Sequence, residues 1–119
     1  MINKSLLVAL EALFKDVSSL QLQRAAEKLS LRYRTNQNQK ESFIQNKEEA
    51  LAYVCTRFPA TFAVNLAIYE RLKKEVDVDI ESFLDLGCGA FSGFFAAKQV
   101  FQEINKAIFI EKEKSLFDL

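Results

Sequence analysis

Residues 82–93, Ser-Phe-Leu-Asp-Leu-Gly-Cys-Gly-Ala-Phe-Ser-Gly, constrain the fold more than any other stretch of this chain. A short apolar run ends in two glycines one residue apart, and apolar residues then recur at helical spacing: Phe94, Phe95, Ala97, Val100, Phe101 and Ile104. An apolar run closed by a glycine turn suits a buried parallel strand. A second short run, Lys-Ala-Ile-Phe-Ile, is closed by Glu111. Strand, glycine loop, helix and strand make a βαβ unit, whose crossover is expected to be right-handed.

Residues 1–78 read differently, as a helical region, with an α/β region opening at 79 and running to 119. Asn3 is placed as an N-cap for a first helix carrying Leu6, Leu7, Leu10, Leu13 and Phe14. Ser18 with Gln21 three residues later predicts a capping box for a second helix, whose buried stripe is Leu22, Ala25, Ala26 and Leu29. The polar stretch 32–42, rich in asparagine and glutamine, reads as a loop. Asn46 and Glu49 cap a third helix, with Cys55 in its core; Pro59 is expected to end it and to open a fourth.

Composition narrows the function classes. The 119 residues suffice for one small domain, and the formal net charge of zero removes any global basic field for nucleic acid, so RNA contact needs a local patch. There is no histidine, hence neither the commonest general base nor the commonest metal ligand. Cys55 and Cys88 stand far apart without metal-ligand spacing, which argues for a reducing compartment and no metal site. The N-terminus lacks signal- and transit-peptide character, and no segment reads as a membrane span. The expected setting is cytoplasmic, of bacterial type, with no membrane partner.

The glycine turn carries the chemistry. Gly87 and Gly89 allow a sharp turn and close ligand approach at the carboxyl end of a parallel strand. Glu111, 22 residues after Gly89, can accept hydrogen bonds from both hydroxyls of a ribose. A dinucleotide fingerprint would place its third glycine one residue before Gly93, and Asp85 would repel a pyrophosphate. A nicotinamide or flavin enzyme is therefore disfavoured, and a cofactor bearing an ammonium and a sulfonium suits Asp85 better. Cys88 sits inside the loop, where a small residue filling the turn explains it more simply than a nucleophile with no base nearby in sequence.

The D-x-G-x-G order at 85–89 resembles the first motif of Rossmann-like methyltransferases, which bind S-adenosylmethionine. With "LSLRYR" at 29–34 and "AYVCTRFPATFAVNLAIYERL" at 52–72, the chain resembles a family of methyltransferase-like proteins linked to the small ribosomal subunit. That family includes mitochondrial small-subunit assembly factors and bacterial relatives of the ribosomal RNA methyltransferase type. The matching pieces are Arg32, Tyr33 and Arg34; Arg57, Pro59, Ala60 and Thr61; Leu84 to Gly89; and Glu111.

The resemblance implies an N-terminal helical region followed by the first βαβ unit of a Rossmann-like methyltransferase fold. It implies S-adenosylmethionine as cofactor, with Asp85, Gly87, Cys88 and Gly89 around the methionine end and Glu111 at the ribose. It implies ribosomal RNA or the small subunit as partner. The family usually follows the second glycine with Pro-Gly, where Ala90 and Phe91 stand here. The family's later strands and downstream cysteine cluster are not among the 119 residues, so the chain reads as an N-terminal, truncated piece, inactive alone. Its two strands would leave edges open to self-association.

Arg32, Tyr33, Arg34 and Arg57 are the candidate RNA contacts, supported by Arg24, Lys28 and Lys40 and with Tyr33 for stacking. The competing reading is a solvated helix face with Arg32 or Arg57 paired to nearby acids. Two functions follow: an S-adenosylmethionine-dependent methyltransferase acting on ribosomal RNA, or a non-catalytic small-subunit assembly factor with a vestigial cofactor site.

Overall fold

A computed structural model describes residues 2–35, 44–77 and 79–119. In chain order the elements are α1 (Lys4–Leu13), α2 (Ser19–Thr35), α3 (Lys47–Glu75), β1 (Ser82–Leu86), α4 (Ser92–Val100), β2 (Lys106–Ile110) and α5 (Lys114–Phe117). They form a helix-rich α/β chain with a two-stranded parallel sheet. Two compact units divide inside α3: residues Ile2–Thr56 with Lys112–Leu119 form one, and Arg57–Glu111 the other.

In the unit that holds the N-terminal helices, the starts of α1, α2 and α3 are each fixed by a side chain. The Leu6 N–H donates to Asn3 Oδ1 at 2.9 Å. The Gln21 N–H donates to Ser18 Oγ at 3.1 Å, and the Ser18 N–H donates back to Gln21 Oε1 at 2.9 Å, closing a capping box. The Glu49 N–H donates to Asn46 Oδ1 at 2.8 Å at the start of α3. α2 buries Ala25 and Leu29.

Glu49 does more than begin a helix. Its buried carboxylate takes a two-pronged contact from Arg32, Nη1 to Oε1 at 2.5 Å and Nη2 to Oε2 at 3.2 Å, and also accepts the Gln45 N–H. Glu113, also buried, accepts the Ile44 N–H at 3.2 Å and adds a second negative charge near Arg32. Residues 32–35 are helical rather than loop, and Arg32 makes its contact with Glu49 from the end of α2. The rest of the expected loop, with Lys40, lies outside the described residues. Four-residue α5 is too short to leave a periodic signal, and it went unforeseen.

Pro59 does not end a helix: α3 runs unbroken through it. Proline removes one N–H, which strands the carbonyl of Cys55 four residues earlier. Pro59 and Cys55 both lie on the exposed side, where water can take that carbonyl. Cys55 is accordingly a surface residue and not the core residue expected. Burial of Phe58, Phe62 and Leu66 holds the helix together across the defect.

By length and by the mean hydropathy of its most apolar 18 residues, 1.3, α3 alone could cross a membrane. Ala50, Leu51, Ala52, Val54, Phe58, Phe62 and Leu66 are buried, whereas Val64, Ile68 and Leu72 on the same helix are exposed, and 33% of that apolar window lies inside the fold.

In the second unit β1 and β2 pair in register, with Asp85 opposite Phe109 and Leu86 opposite Ile110. One face of the sheet carries Phe83, Asp85, Ala107 and Phe109, and α4 packs there. The Phe94 ring stands edge-on to Phe83 and Phe109, with centroids at 5.9 and 5.0 Å. The opposite face presents Leu84, Leu86, Ile108 and Ile110, each between 51% and 70% exposed. α4 stops at Val100, short of the expected extent, because the chain turns toward β2 there. The Lys98 ammonium reaches the carbonyls of Gln102 and Ile104 just past the end.

Replacing Glu49 by alanine leaves Arg32 without its bidentate partner and the Gln45 N–H without its acceptor. A loss of about 3 kcal/mol in unfolding free energy is expected for breaking such a pair. Burial pushes the Glu49 carboxyl up, but the Arg32 hydrogen bond, the Gln45 N–H and the Arg32 charge outweigh it and hold the group below its usual range. A lowered folded pKa contributes stability above the ordinary glutamate value and loses it as pH falls through the folded one. Urea titration should therefore show the wild-type advantage over Glu49→Ala at pH 7 and its loss at strongly acid pH; an equal gap at both would reject the ion pair as the cause.

Candidate functional site

The site is built where β1 ends. The N–H groups of Gly87 and Cys88 donate to the carbonyl of Ile110 at 2.6 and 3.1 Å, which carries the parallel ladder past Leu86. The next N–H, that of Gly89, donates to Glu111 Oε2 at 2.6 Å. The Phe91 N–H then returns to the Cys88 carbonyl at 2.9 Å and α4 begins. Three alternate residues take the left-handed conformation: Gly87 at φ 75°, Gly89 at φ 54° and Phe91 at φ 64°. For the glycines this conformation is permitted freely.

Phe91 bears a Cβ and is strained by roughly 1–2 kcal/mol. It holds the position where the resembling family has glycine. Its ring stands edge-on to Phe109 with centroids 4.8 Å apart, an aromatic contact that offsets part of the strain.

Asp85 and Glu111 share this end of the sheet. The Asp85 carboxyl lies above its ordinary range, first because it is half-buried and then because Glu111 repels its charge. Among the described residues it forms no hydrogen bond or ion pair. The Cys88 thiol is likewise pushed up, by burial, then Glu111, then Asp85, so it stays protonated and is a poor nucleophile.

Gly93 explains the misplaced third glycine. A Cβ there would stand 3.3 Å from Asp85 Oδ2, and 3.9 Å from both Asn65 Nδ2 and Tyr69 Oη. Three polar atoms from α3 and β1 thus surround the face of Gly93, the Asp85 oxygen closely enough that a Cβ there would have to push it aside by a few tenths of an ångström. Thr61, on the same helix face as Asn65 and Tyr69, donates or accepts through its hydroxyl with Ser92 Oγ at 3.0 Å. Burial, then the Asp85 charge, keeps the Tyr69 hydroxyl above its usual pKa, hence protonated and a donor. The sequence reading missed Asn65 and Tyr69 as site residues. The available signal was three hydrogen-bonding side chains four apart, 61, 65 and 69, on one face of the helix.

The candidate RNA contacts are dispersed between the two units. Arg32, Tyr33 and Arg34 lie in the last turns of α2, and Arg57 opens the other unit. Arg32 is engaged with Glu49, Arg34 Nε reaches the Ser30 carbonyl at 3.4 Å, and Tyr33 is 65% exposed.

The fold and site define an α/β chain whose glycine loop lies at the carboxyl end of a parallel strand, between two carboxylates. Residues 47–119 match the family described as mitochondrial small ribosomal subunit Rsm22, and the chain belongs to that family. No curated protein matches it. The matched stretch contains Arg57, Thr61, Asn65, Tyr69, Asp85, the glycine loop and Glu111, and it excludes Arg32, Tyr33 and Arg34.

Since the folded pKa of Asp85 is raised, ionised Asp85 opposes folding. That penalty is absent below the ordinary aspartate value of about 3.9 and develops as pH rises through the folded value. Asp85→Asn should therefore raise the thermal midpoint at pH 7 and leave it unchanged near pH 3. A midpoint that does not rise at pH 7, or rises equally at both, would reject the repulsion described here.

Proposed function

We propose that this chain is part of an S-adenosylmethionine-dependent methyltransferase-family protein that acts on ribosomal RNA or the small ribosomal subunit. On this reading residues 1–78 are its helical region, and 79–119 supply the first βαβ unit of a Rossmann-like domain. The observation that carries the reading is the pair Asp85 and Glu111 at the carboxyl ends of adjacent parallel strands, electrostatically coupled across the glycine loop.

The residues fit the cofactor by their chemistry. Asp85 is a half-buried carboxylate repelled by a second one, and a ligand ammonium or sulfonium would relieve that repulsion. Asp85, Asn65 and Tyr69 surround the face of Gly93. Glu111 would take the ribose hydroxyls, and Gly87 and Gly89 let the ligand approach the backbone. When bound, S-adenosylmethionine supplies the methyl group. The chain's own part is to orient it, since transfer depends mainly on positioning. The family's description with the small ribosomal subunit supports the choice of partner.

A non-catalytic assembly factor is the second reading. Phe91, held left-handed where the resembling family has glycine, favours it, because its ring adds bulk at the turn into α4. Labelled methyl transfer to small-subunit RNA, set beside co-sedimentation with the subunit, separates the two. Transfer supports the enzyme; co-sedimentation without transfer supports the assembly factor.

Glu111→Ala should weaken S-adenosylhomocysteine binding by about 1.5–3 kcal/mol, the worth of one hydrogen bond to a charged group, or more than tenfold in Kd. Calorimetry that returns the wild-type Kd for this variant would remove Glu111 from the ribose. NAD should not compete.

A further inference from the structure

The division between the two compact units falls between Thr56 and Arg57, inside the 29-residue helix α3. The chain crosses from one unit to the other there and again between Glu111 and Lys112. An intact ladder of backbone hydrogen bonds would make the first crossing stiff. Instead, three separate features weaken α3 at that place. We propose that residues 55–61 are a hinge, about which the unit bearing the glycine loop turns against the unit bearing α1 and α2. The hinge does not depend on what the loop binds.

The first feature is Pro59, which has no N–H to offer the Cys55 carbonyl and whose ring crowds it. Sharp bends in helices are found at such prolines. The second is the pair of threonines that flank it. Thr56 Oγ1 donates to the carbonyls of Ala52 and Tyr53 at 3.0 and 3.2 Å. Thr61 Oγ1 donates to those of Arg57 and Phe58 at 2.7 and 3.3 Å. A hydroxyl that bonds back one turn competes with the backbone N–H for its carbonyl and bends the helix. The carbonyls of residues 52, 53, 57 and 58 are therefore shared, and that of residue 55 has lost its donor.

The third feature is a change in what encloses the helix. Ala50, Leu51 and Ala52, successive residues about 100° apart around the axis, are all buried. Cys55, Thr56 and Arg57 are all exposed. Past them only Phe58, Phe62 and Leu66 of α3 are buried, and they share one face. Thr56, Pro59 and Thr61 lie on the exposed side, so the ladder can open toward water there while the apolar face stays packed. Phe58 stacks on Phe62 at 5.7 Å and meets Phe95 of α4 at 6.3 Å, which ties the second half of α3 to its own unit. The second crossing is short as well. Glu111 accepts the Gly89 N–H at 2.6 Å in one unit and Glu113 accepts the Ile44 N–H at 3.2 Å in the other, with the exposed Lys112 between these two anchors.

Paired spin labels on the 119-residue chain test the hinge. One is attached at Arg24→Cys on α2 and the other at Glu70→Cys on α3 beyond the junction, both exposed positions. Cys55→Ser removes the exposed native thiol, and Cys88 is buried. Pulsed electron resonance should give a broad distribution of label distances. Pro59→Ala restores an N–H to the Cys55 carbonyl and should narrow that distribution at least twofold. A distribution already narrow with Pro59 in place, or a width that Pro59→Ala leaves unchanged, overturns the hinge. A shift of the mean distance alone would make Pro59 a fixed bend and overturns it too. Hydrogen exchange on the unaltered chain reads the same property, should Pro59→Ala fail to fold. The amides of Thr56, Arg57, Thr61 and Phe62 should exchange at least tenfold faster than those of residues 66–69, and equal protection along α3 overturns the proposal.

Discussion

The hydrogen bond from the Gly89 N–H to Glu111 Oε2, at 2.6 Å, sets the form of the loop. It continues what the Gly87 and Cys88 N–H groups begin on the Ile110 carbonyl, so three successive donors are taken by the end of β2. The loop up to Gly89 is in effect an extension of the sheet, and only past residue 90 does the chain leave it for α4. This arrangement needs left-handed residues at 87 and 89 and a carboxylate at 111. It also has an electrostatic cost. Bringing Glu111 to the end of the sheet sets its charge near Asp85, already half-buried, and among the described residues Asp85 forms no ion pair that would offset it. Order in the loop is thus obtained by concentrating negative charge at its mouth. On the proposed function, a cationic ligand group would relieve that repulsion.

Much of this was legible in the sequence where the signal was local. The caps at Asn3, Ser18 and Asn46 each follow from a side chain three residues from its partner, and each is present. The change from helical spacing to short apolar runs near residue 80 located both strands. Asp85, the two glycines and Glu111 could be picked out because strand ends and glycine turns leave compact patterns. The failures share a cause: tertiary context overrode a local rule. Pro59 carries a helix-ending signal, but its exposed side lets solvent satisfy the freed carbonyl while Phe58 and Phe62 hold the buried side. Arg32 looked like part of a polar loop until Glu49, 17 residues on, gave it a partner. Asn65 and Tyr69 were missed because they meet Asp85 only in three dimensions, and Tyr69 also fits the apolar stripe of α3.

Phe91 shows how the same fold absorbs a local misfit. A residue with a Cβ in the left-handed region is costly, and the neighbourhood is unusually aromatic. Phe91 and Phe94 both stand edge-on to Phe109, Phe94 also meets Phe83, and Phe95 meets Phe58 on α3. One of the ring contacts at the start of α4 is made by the very side chain whose backbone is strained. The helix start is held by packing rather than by a side-chain cap, since none is formed at Phe91. Positions at the mouth of the site are consequently defined by aromatic packing from β1, β2 and α3 alike.

The distribution of charge decides which part of the chain carries its family character. The basic residues of α2 are partly committed to the fold: Arg32 is pulled between Glu49 and Glu113 in the unit that contains α1 and α2. The stretch that matches the family starts at Lys47, beyond those residues, and holds the converging atoms of Asn65, Tyr69 and Asp85 together with Gly93 and Glu111. Recognition of a polyanion depends on unneutralised cations. Of the basic residues singled out in the sequence, Arg57 is the one that lies both in the matched stretch and in the unit that holds the glycine loop, and it is exposed.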